Sequence, residues 1–120
     1  QYAFSFPDRW GATKPRLDLV KAGTLEFLEP DRDRFPCLSL AYQALAQGGS
    51  AAIVLNAANE VAVEAFLAGR IRFPAISAVI ERVLGVQPPT DAVTSLDAVR
   101  AVDTWARGHA AGLLGTLPSR

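Results

Sequence analysis

The chain has 120 residues, 50% hydrophobic and 20% charged, enough for one modest hydrophobic core and too few for two. Twelve basic side chains balance twelve acidic ones at a formal net charge of zero. That balance excludes the basic footprint of a nucleic-acid binder and a polybasic membrane-surface patch.

A single cysteine, Cys37, excludes an internal disulfide and fits a reducing, cytoplasmic compartment. No apolar run approaches the roughly 20 residues that span a bilayer. The opening QYAFSFPDRW lacks the charged and apolar regions of a signal peptide. With no initiator methionine either, the chain is expected to start inside a longer protein.

Tyr2, Phe4 and Phe6 alternate with Ala3 and Ser5, which predicts a short strand ended by Pro7. Gly11 to Gly23 reads as a linker holding at most a short turn of helix. LEFLEPD, from Leu25, reads as a second short strand stopped at Pro30. Two strands are marginal without a larger sheet, so the aromatic-rich start has the character of another domain's cut edge.

Helices are expected from Pro36 onward. The first opens at Pro36, carries the stripe Leu38, Ala41, Tyr42 and Leu45, and stops at Gly48-Gly49. The second is expected to be capped by Asn56 and to run from Ala57 to Leu67. Its stripe is Ala58, Val61, Ala62, Ala65 and Phe66, its first turn holds Glu60, and Gly69 is its stop. On this reading Asn56→Ala removes a cap worth about 0.5–2 kcal/mol. The third spans about Pro74 to Leu84 with Ile76, Val79, Ile80, Val83 and Leu84 on one side. The proline-rich link VQPPTDAVT precedes a fourth, capped by Ser95 and continuing to about Leu114. Its stripe is Leu96, Val99, Val102 or Asp103, Ala106, Ala110 and Leu113.

Candidates for chemistry are few. Asn56, Asn59 and Glu60 are polar residues in an apolar, alanine-rich run, and capping plus charge compensation accounts for them locally. The apolar AAIVL before Asn56 places that residue near the core. His109 is the only histidine and has no second imidazole or CxxC to share a metal with. Ser39 and Ser50 match no nucleophile elbow, and neither GxGxxG nor GxxxxGK[ST] occurs. Cys37 reads as a small core residue. Asp31, Arg32, Asp33 and Arg34 read as a solvated or mutually paired turn lacking a calcium loop's further ligands. Trp10 and Trp105 read as partly buried structural residues.

The strings PDRDRFPCLSLAYQALAQGG and VLNAANEVAVEAFLAGRIRFPAI resemble the C-terminal region of the 1-deoxy-D-xylulose 5-phosphate reductoisomerase family. QYAFSFPDRW resembles the end of that family's central catalytic domain. LEFLEPDRDRFPCL resembles the lead into its C-terminal helical domain, and LDAVRAVDTWARGHA its final helix. The resemblance spans nearly the whole chain.

It implies a mainly helical, four-helix bundle-like C-terminal domain over residues 36–120, preceded by a linker over 11–35 and the end of the catalytic domain over 1–10. It implies a full-length NADPH-dependent oxidoreductase that rearranges and reduces its substrate in non-mevalonate isoprenoid biosynthesis. NADPH and a magnesium or manganese ion are bound upstream, so no catalytic, cofactor or metal residue transfers to this chain. The implied partners are the catalytic and NADPH-binding domains of the same protein, in a full-length homodimer, and the fragment itself is expected to be inactive. The alternative is a free-standing helical dimerisation or adaptor module.

Overall fold

Six helices form the regular structure of the described residues, 2–11, 17–86 and 93–116, in this computed structural model. They are α1 (Tyr2–Ser5), α2 (Leu19–Ala22), α3 (Cys37–Gln47), α4 (Ala51–Leu67), α5 (Ala75–Gly85) and α6 (Leu96–Leu114). The chain is mainly helical, as the sequence predicts. The four longer helices pack together around α4, which touches α3, α5 and α6, while α5 also meets α3 and α6.

Local chemistry sets most boundaries. Pro36 takes helical angles before α3, its ring preset for that geometry, and its carbonyl accepts from the Leu40 N–H at 3.0 Å. Gly48, at φ 67°, closes α3 by donating to the Ala44 carbonyl at 3.1 Å. α4 ends in a Schellman motif: Gly69 at φ 71° donates to Phe66, and Arg70 donates to Ala65, each at 2.9 Å. Pro74 opens α5. The extended Ser95 opens α6, its hydroxyl accepting from the Ala98 N–H at 3.1 Å.

The start of α4 departs from the expectation at Asn56. The helix begins at Ala51, so AAIVL is its opening turn and Asn56 lies inside it without capping anything. A cap needs non-helical backbone angles, and the reversal at Gly48-Gly49 already supplies the break. Asparagine costs a helix interior at most about 0.7 kcal/mol against alanine. Burial of Ala51, Val54, Ala57 and Ala58 overrides that cost.

The core is aliphatic and small-residue rich. Ala58, Ala62 and Ala65 of α4 share one buried cluster with Val102, Ala106 and Ala110 of α6 and with Ile76, Val79, Ile80 and Val83 of α5. The α5 stripe is as predicted. Leu96 at the start of α6 is exposed instead. α3 shows a larger departure: it buries Leu40 and Ala44, while the expected stripe of Leu38, Ala41, Tyr42 and Leu45 faces outward.

Neither predicted strand forms, and no strand occurs among the described residues. Tyr2–Ser5 is a single helical turn. The Ser5 hydroxyl reaches the Tyr2 and Asp8 carbonyls, and Tyr2 packs edge-on against Phe6 with ring centroids 6.0 Å apart. Alternation favours a strand only where a neighbour supplies the ladder, and here local bonds close the segment on itself. Leu25 to Asp31 has no regular structure and is exposed throughout. The short turn expected in the linker is α2, capped by Asp18, whose carboxylate accepts from the Val20 and Lys21 N–H groups. α1 and α2 pack against no other helix. The radius of gyration, 19.0 Å, exceeds the roughly 14 Å of a compact chain this long. Most of the proline-rich link, 87–92, lies outside the described residues.

Candidate functional site

Asn56 and Glu60 stand one helical turn apart on the exposed edge of α4, and Asp103 and Arg107 stand one turn apart on α6. The packing of α4 on α6 brings the two pairs together. The Asn56 side-chain amide donates to Glu60 Oε1 at 3.0 Å, the Arg107 guanidinium donates to Glu60 Oε2, and Arg107 Nε donates to Asp103 Oδ2 at 2.8 Å. Four polar side chains thus form one continuous chain across the helix pair.

The electrostatics follow from the bonds. Hydrogen bonding from Arg107, then from Asn56, holds the Glu60 carboxyl below its ordinary pKa, and the charge of Arg107 adds to this. The bond to Asp103, then that to Glu60, holds the Arg107 guanidinium above its already high value. A general acid or base works best with a pKa near the operating pH. Glu60 is moved away from that range and each of its oxygens accepts a hydrogen bond, so the arrangement serves as an interhelical clamp better than as a proton-transfer group.

Asn59 points elsewhere. It is half-buried and lines a pocket of about 350 Å³ with Arg34, Phe35, Cys37, Phe73 and Ser77, between the turn before α3, α4 and the start of α5. Cys37 is exposed at this pocket and is no core residue, since α3 turns Leu40 and Ala44 inward. The turn over residues 31–35 is solvated. Its Asp31 carboxylate accepts from the Arg34 N–H at 2.9 Å, and its Asp31 carbonyl accepts from the Phe35 N–H at 2.9 Å.

The remaining candidates stay separate. His109 is exposed, its ring 4.1 Å from that of Trp105, and its Nδ1 lies 3.0 Å from the Trp105 carbonyl. A carbonyl only accepts, so Nδ1 carries the proton. His109 borders an open apolar groove of about 790 Å³ with Arg82, Val86, Gly108, Gly112 and Leu113. Trp105 is half-buried at the core edge, whereas Trp10 is exposed, against the expectation that both are partly buried. Ser50 is buried and Ser39 half-buried. Asn56 is exposed, although AAIVL pointed it toward the core.

Sequence reasoning missed the role of Arg107 and Asp103. Their signal was the spacing: Asn56–Glu60 and Asp103–Arg107 are both i,i+4 pairs, which face each other on a helix. The strings that carry the resemblance converge in space. LNAANE meets the aspartate and AR pair of α6 in the clamp, and LNAANE meets FPC and RFPAI around the pocket.

The family described as the DXP reductoisomerase C-terminal domain matches residues 1–109. The chain is 50% identical to the 1-deoxy-D-xylulose 5-phosphate reductoisomerase of Cupriavidus metallidurans over 119 residues, 99% of this chain and 30% of that protein. It is 51% identical to that of Moorella thermoacetica over 110 residues, 92% of this chain and 28% of that protein. Among solved structures, the Zymomonas mobilis reductoisomerase in complex with NADPH superposes with a TM-score of 0.84 at 38% identity. That match covers 97% of this chain and 30% of that one. A DOX-P reductoisomerase in complex with NADPH, fosmidomycin and magnesium gives 0.83 at 36% identity, covering 95% and 30%. The chain therefore spans less than a third of the relatives it matches. Among its described residues, no group of three or more His, Cys, Asp or Glu side chains could hold a metal ion.

Proposed function

This chain belongs to the DXP reductoisomerase C-terminal domain family, and on that premise we propose that it works as the C-terminal portion of a full-length 1-deoxy-D-xylulose 5-phosphate reductoisomerase. The complete enzyme converts that substrate to 2-C-methyl-D-erythritol 4-phosphate by rearrangement and NADPH-dependent reduction. Residues 1–10 are the end of its central catalytic domain, 11–35 the linker and 36–120 the helical domain. NADPH and the magnesium or manganese ion bind to the other domains, and this segment acts as their scaffold without contributing a catalytic, cofactor or metal residue. The working form is a cytoplasmic homodimer. Among the described residues, no helix is long and apolar enough to cross a membrane.

One observation carries the reading: about half of the residues are identical to curated reductoisomerases across 99% of the chain. The clamp agrees with a scaffold role, since its carboxylates and guanidinium are spent on one another.

The test is NADPH oxidation with 1-deoxy-D-xylulose 5-phosphate and magnesium, run on the 120-residue chain and on the full-length polypeptide. An active full-length protein and an inert chain are expected. Activity in the short chain would return Asn56, Asn59 and Glu60 as catalytic candidates. Two inactive samples would favour the free-standing dimerisation or adaptor module.

A further inference from the structure

The cavity beside Asn59 gathers polar side chains that have no polar partner of their own. It measures about 350 Å³ and opens between the turn before α3, helix α4 and the start of α5. Asn59 is half-buried there, and its carboxamide makes no hydrogen bond among the described residues. Asp33 and Arg34 line the same cavity, and among the described residues neither side chain is ion-paired. Buried polar side chains are mostly hydrogen-bonded. A half-buried carboxamide facing a cavity therefore offers one donor group and one acceptor to a ligand.

Two aromatic walls accompany these groups. Phe35 and Phe73 line the cavity and are 54% and 56% exposed, so each keeps ring surface open. Both are held in place. The Phe35 N–H donates to the Asp31 carbonyl at 2.9 Å, and Phe73 packs on Phe66 with ring centroids 5.7 Å apart at 70°. The Arg34 guanidinium lies 5.8 Å from the Phe35 ring centroid, which joins a cation to an aromatic face at one side of the cavity.

We propose that this cavity binds an adenine mononucleotide. Aromatic rings stack on any base, and a carboxamide matches the adenine edge, whose N7 accepts and whose N6 amino group donates. The Asp33 carboxylate can accept from ribose hydroxyls, as acidic residues do in nucleotide folds. The Arg34 guanidinium can donate to a phosphate. Stacking alone would take any flat ring, and Arg34 alone any anion. Their conjunction selects a nucleotide, and Asn59 selects adenine within that class. The volume lies at the lower end of the roughly 300–1,000 Å³ of ligand sites, which suits a mononucleotide rather than a dinucleotide. The proposal rests on residues of this chain and does not depend on the proposed function.

Cys37 supplies the readout, because it lines the cavity and is the only cysteine of the chain. The full-length polypeptide is treated with iodoacetamide in the presence of AMP, GMP, adenosine or inorganic phosphate. Alkylation of Cys37 is followed by peptide mass spectrometry. AMP in about the millimolar range should slow the reaction about tenfold, the protection given by a ligand at roughly ten times its dissociation constant. Adenosine should protect only at higher concentration, and GMP and inorganic phosphate should protect less than AMP. Asn59→Leu should erase the difference between AMP and GMP, and Arg34→Gln the difference between AMP and adenosine.

Equal rates with and without AMP overturn the proposal. Equal protection by GMP or by inorganic phosphate does so too, since it would leave a general anion contact. A Cys37 that fails to react in the native protein without nucleotide also overturns it, because another part of the polypeptide then fills the cavity. If a variant fails to fold, shown by Cys37 reacting as fast as in urea, the comparison of AMP with GMP on the unsubstituted protein decides alone. Reductoisomerase activity enters none of these readouts, so the two proposals stand or fall separately.

Discussion

Glu60 on α4 and Arg107 on α6 are ion-paired across 47 residues of sequence, and the pair joins an i,i+4 partner on each helix into one network. Arg107 is the shared member. Asp103 and Glu60 both lean on it, so its removal leaves two carboxylates side by side. Both ion pairs are partly exposed to solvent, which limits their contribution.

Arg107→Met is therefore expected to lower the thermal midpoint of the chain, and by more than Glu60→Gln does. Glu60→Gln deletes one charge of a pair, whereas Arg107→Met also creates repulsion between Glu60 and Asp103. Thermal unfolding of both single variants and the double variant, at low and high salt, checks this. The Arg107→Met penalty should shrink with added salt, which screens exposed charges. A salt-independent penalty would assign the loss to packing of the arginine stem.

The same bonds predict an acid limb. The Glu60 pKa is lowered from 4.5 by hydrogen bonds from Arg107 and Asn56. A carboxyl depressed in the folded state contributes stability that is present above its unfolded value and lost as pH falls through its folded value. The contribution should thus be constant near neutrality and fade below about pH 4.5. Denaturant unfolding at a series of pH values should show a shallower acid dependence for Glu60→Gln than for the unsubstituted chain. Parallel curves below that pH would remove Glu60 from the account.

How much of this was legible depended on whether a signal was local. The α5 stripe and the Ser95 cap could be read directly, because aliphatic spacing and capping chemistry act within a few residues. The limits of α3 at Pro36 and Gly48 were equally plain, yet its buried face was misassigned. Leu38 and Leu40 are alike in hydrophobicity, and on a helix apolar over most of two sides periodicity cannot say which side the core takes. Asn56 was misread because cap preference was weighed without the packing of Ala51, Val54, Ala57 and Ala58 around it. The clamp needed tertiary knowledge: each i,i+4 half is visible in sequence, but the meeting of Glu60 with Arg107 is set by how α4 crosses α6. The strand at Tyr2 failed for a related reason, since alternation states a preference that only a neighbouring strand can satisfy.

Capping chemistry offers a direct contrast between two positions. Ser95→Ala deletes the acceptor for the Ala98 N–H at the start of α6 and should cost about 1 kcal/mol. Asn56→Ala, which the sequence alone would rank the same way, should stay within about 0.5 kcal/mol of the parent. It exchanges an exposed bond to Glu60 for the better helix propensity of alanine. Urea unfolding of the two variants side by side decides the matter. A larger loss at Asn56 than at Ser95 would mean that α4 begins where the sequence first suggested.

The alanine faces of α4 and α6 make the most demanding prediction. Ala106 is fully buried and shares the core with Ala58, Ala62 and Ala65, so this helix pair has little side-chain volume between its backbones. A leucine there has no space to enter without moving α6, and overpacking of this kind costs about 1–3 kcal/mol. Val83→Ala on α5 removes volume instead and should cost about 2 kcal/mol by transfer and cavity terms. Because α4 packs on α6, Ala106→Leu also stretches the Glu60–Arg107 pair that spans them. Ala106→Leu combined with Arg107→Met should then lose less than the sum of the two single losses, because a strained clamp has less left to remove. Strict additivity would place the clamp and the alanine seam on independent parts of the helix pair.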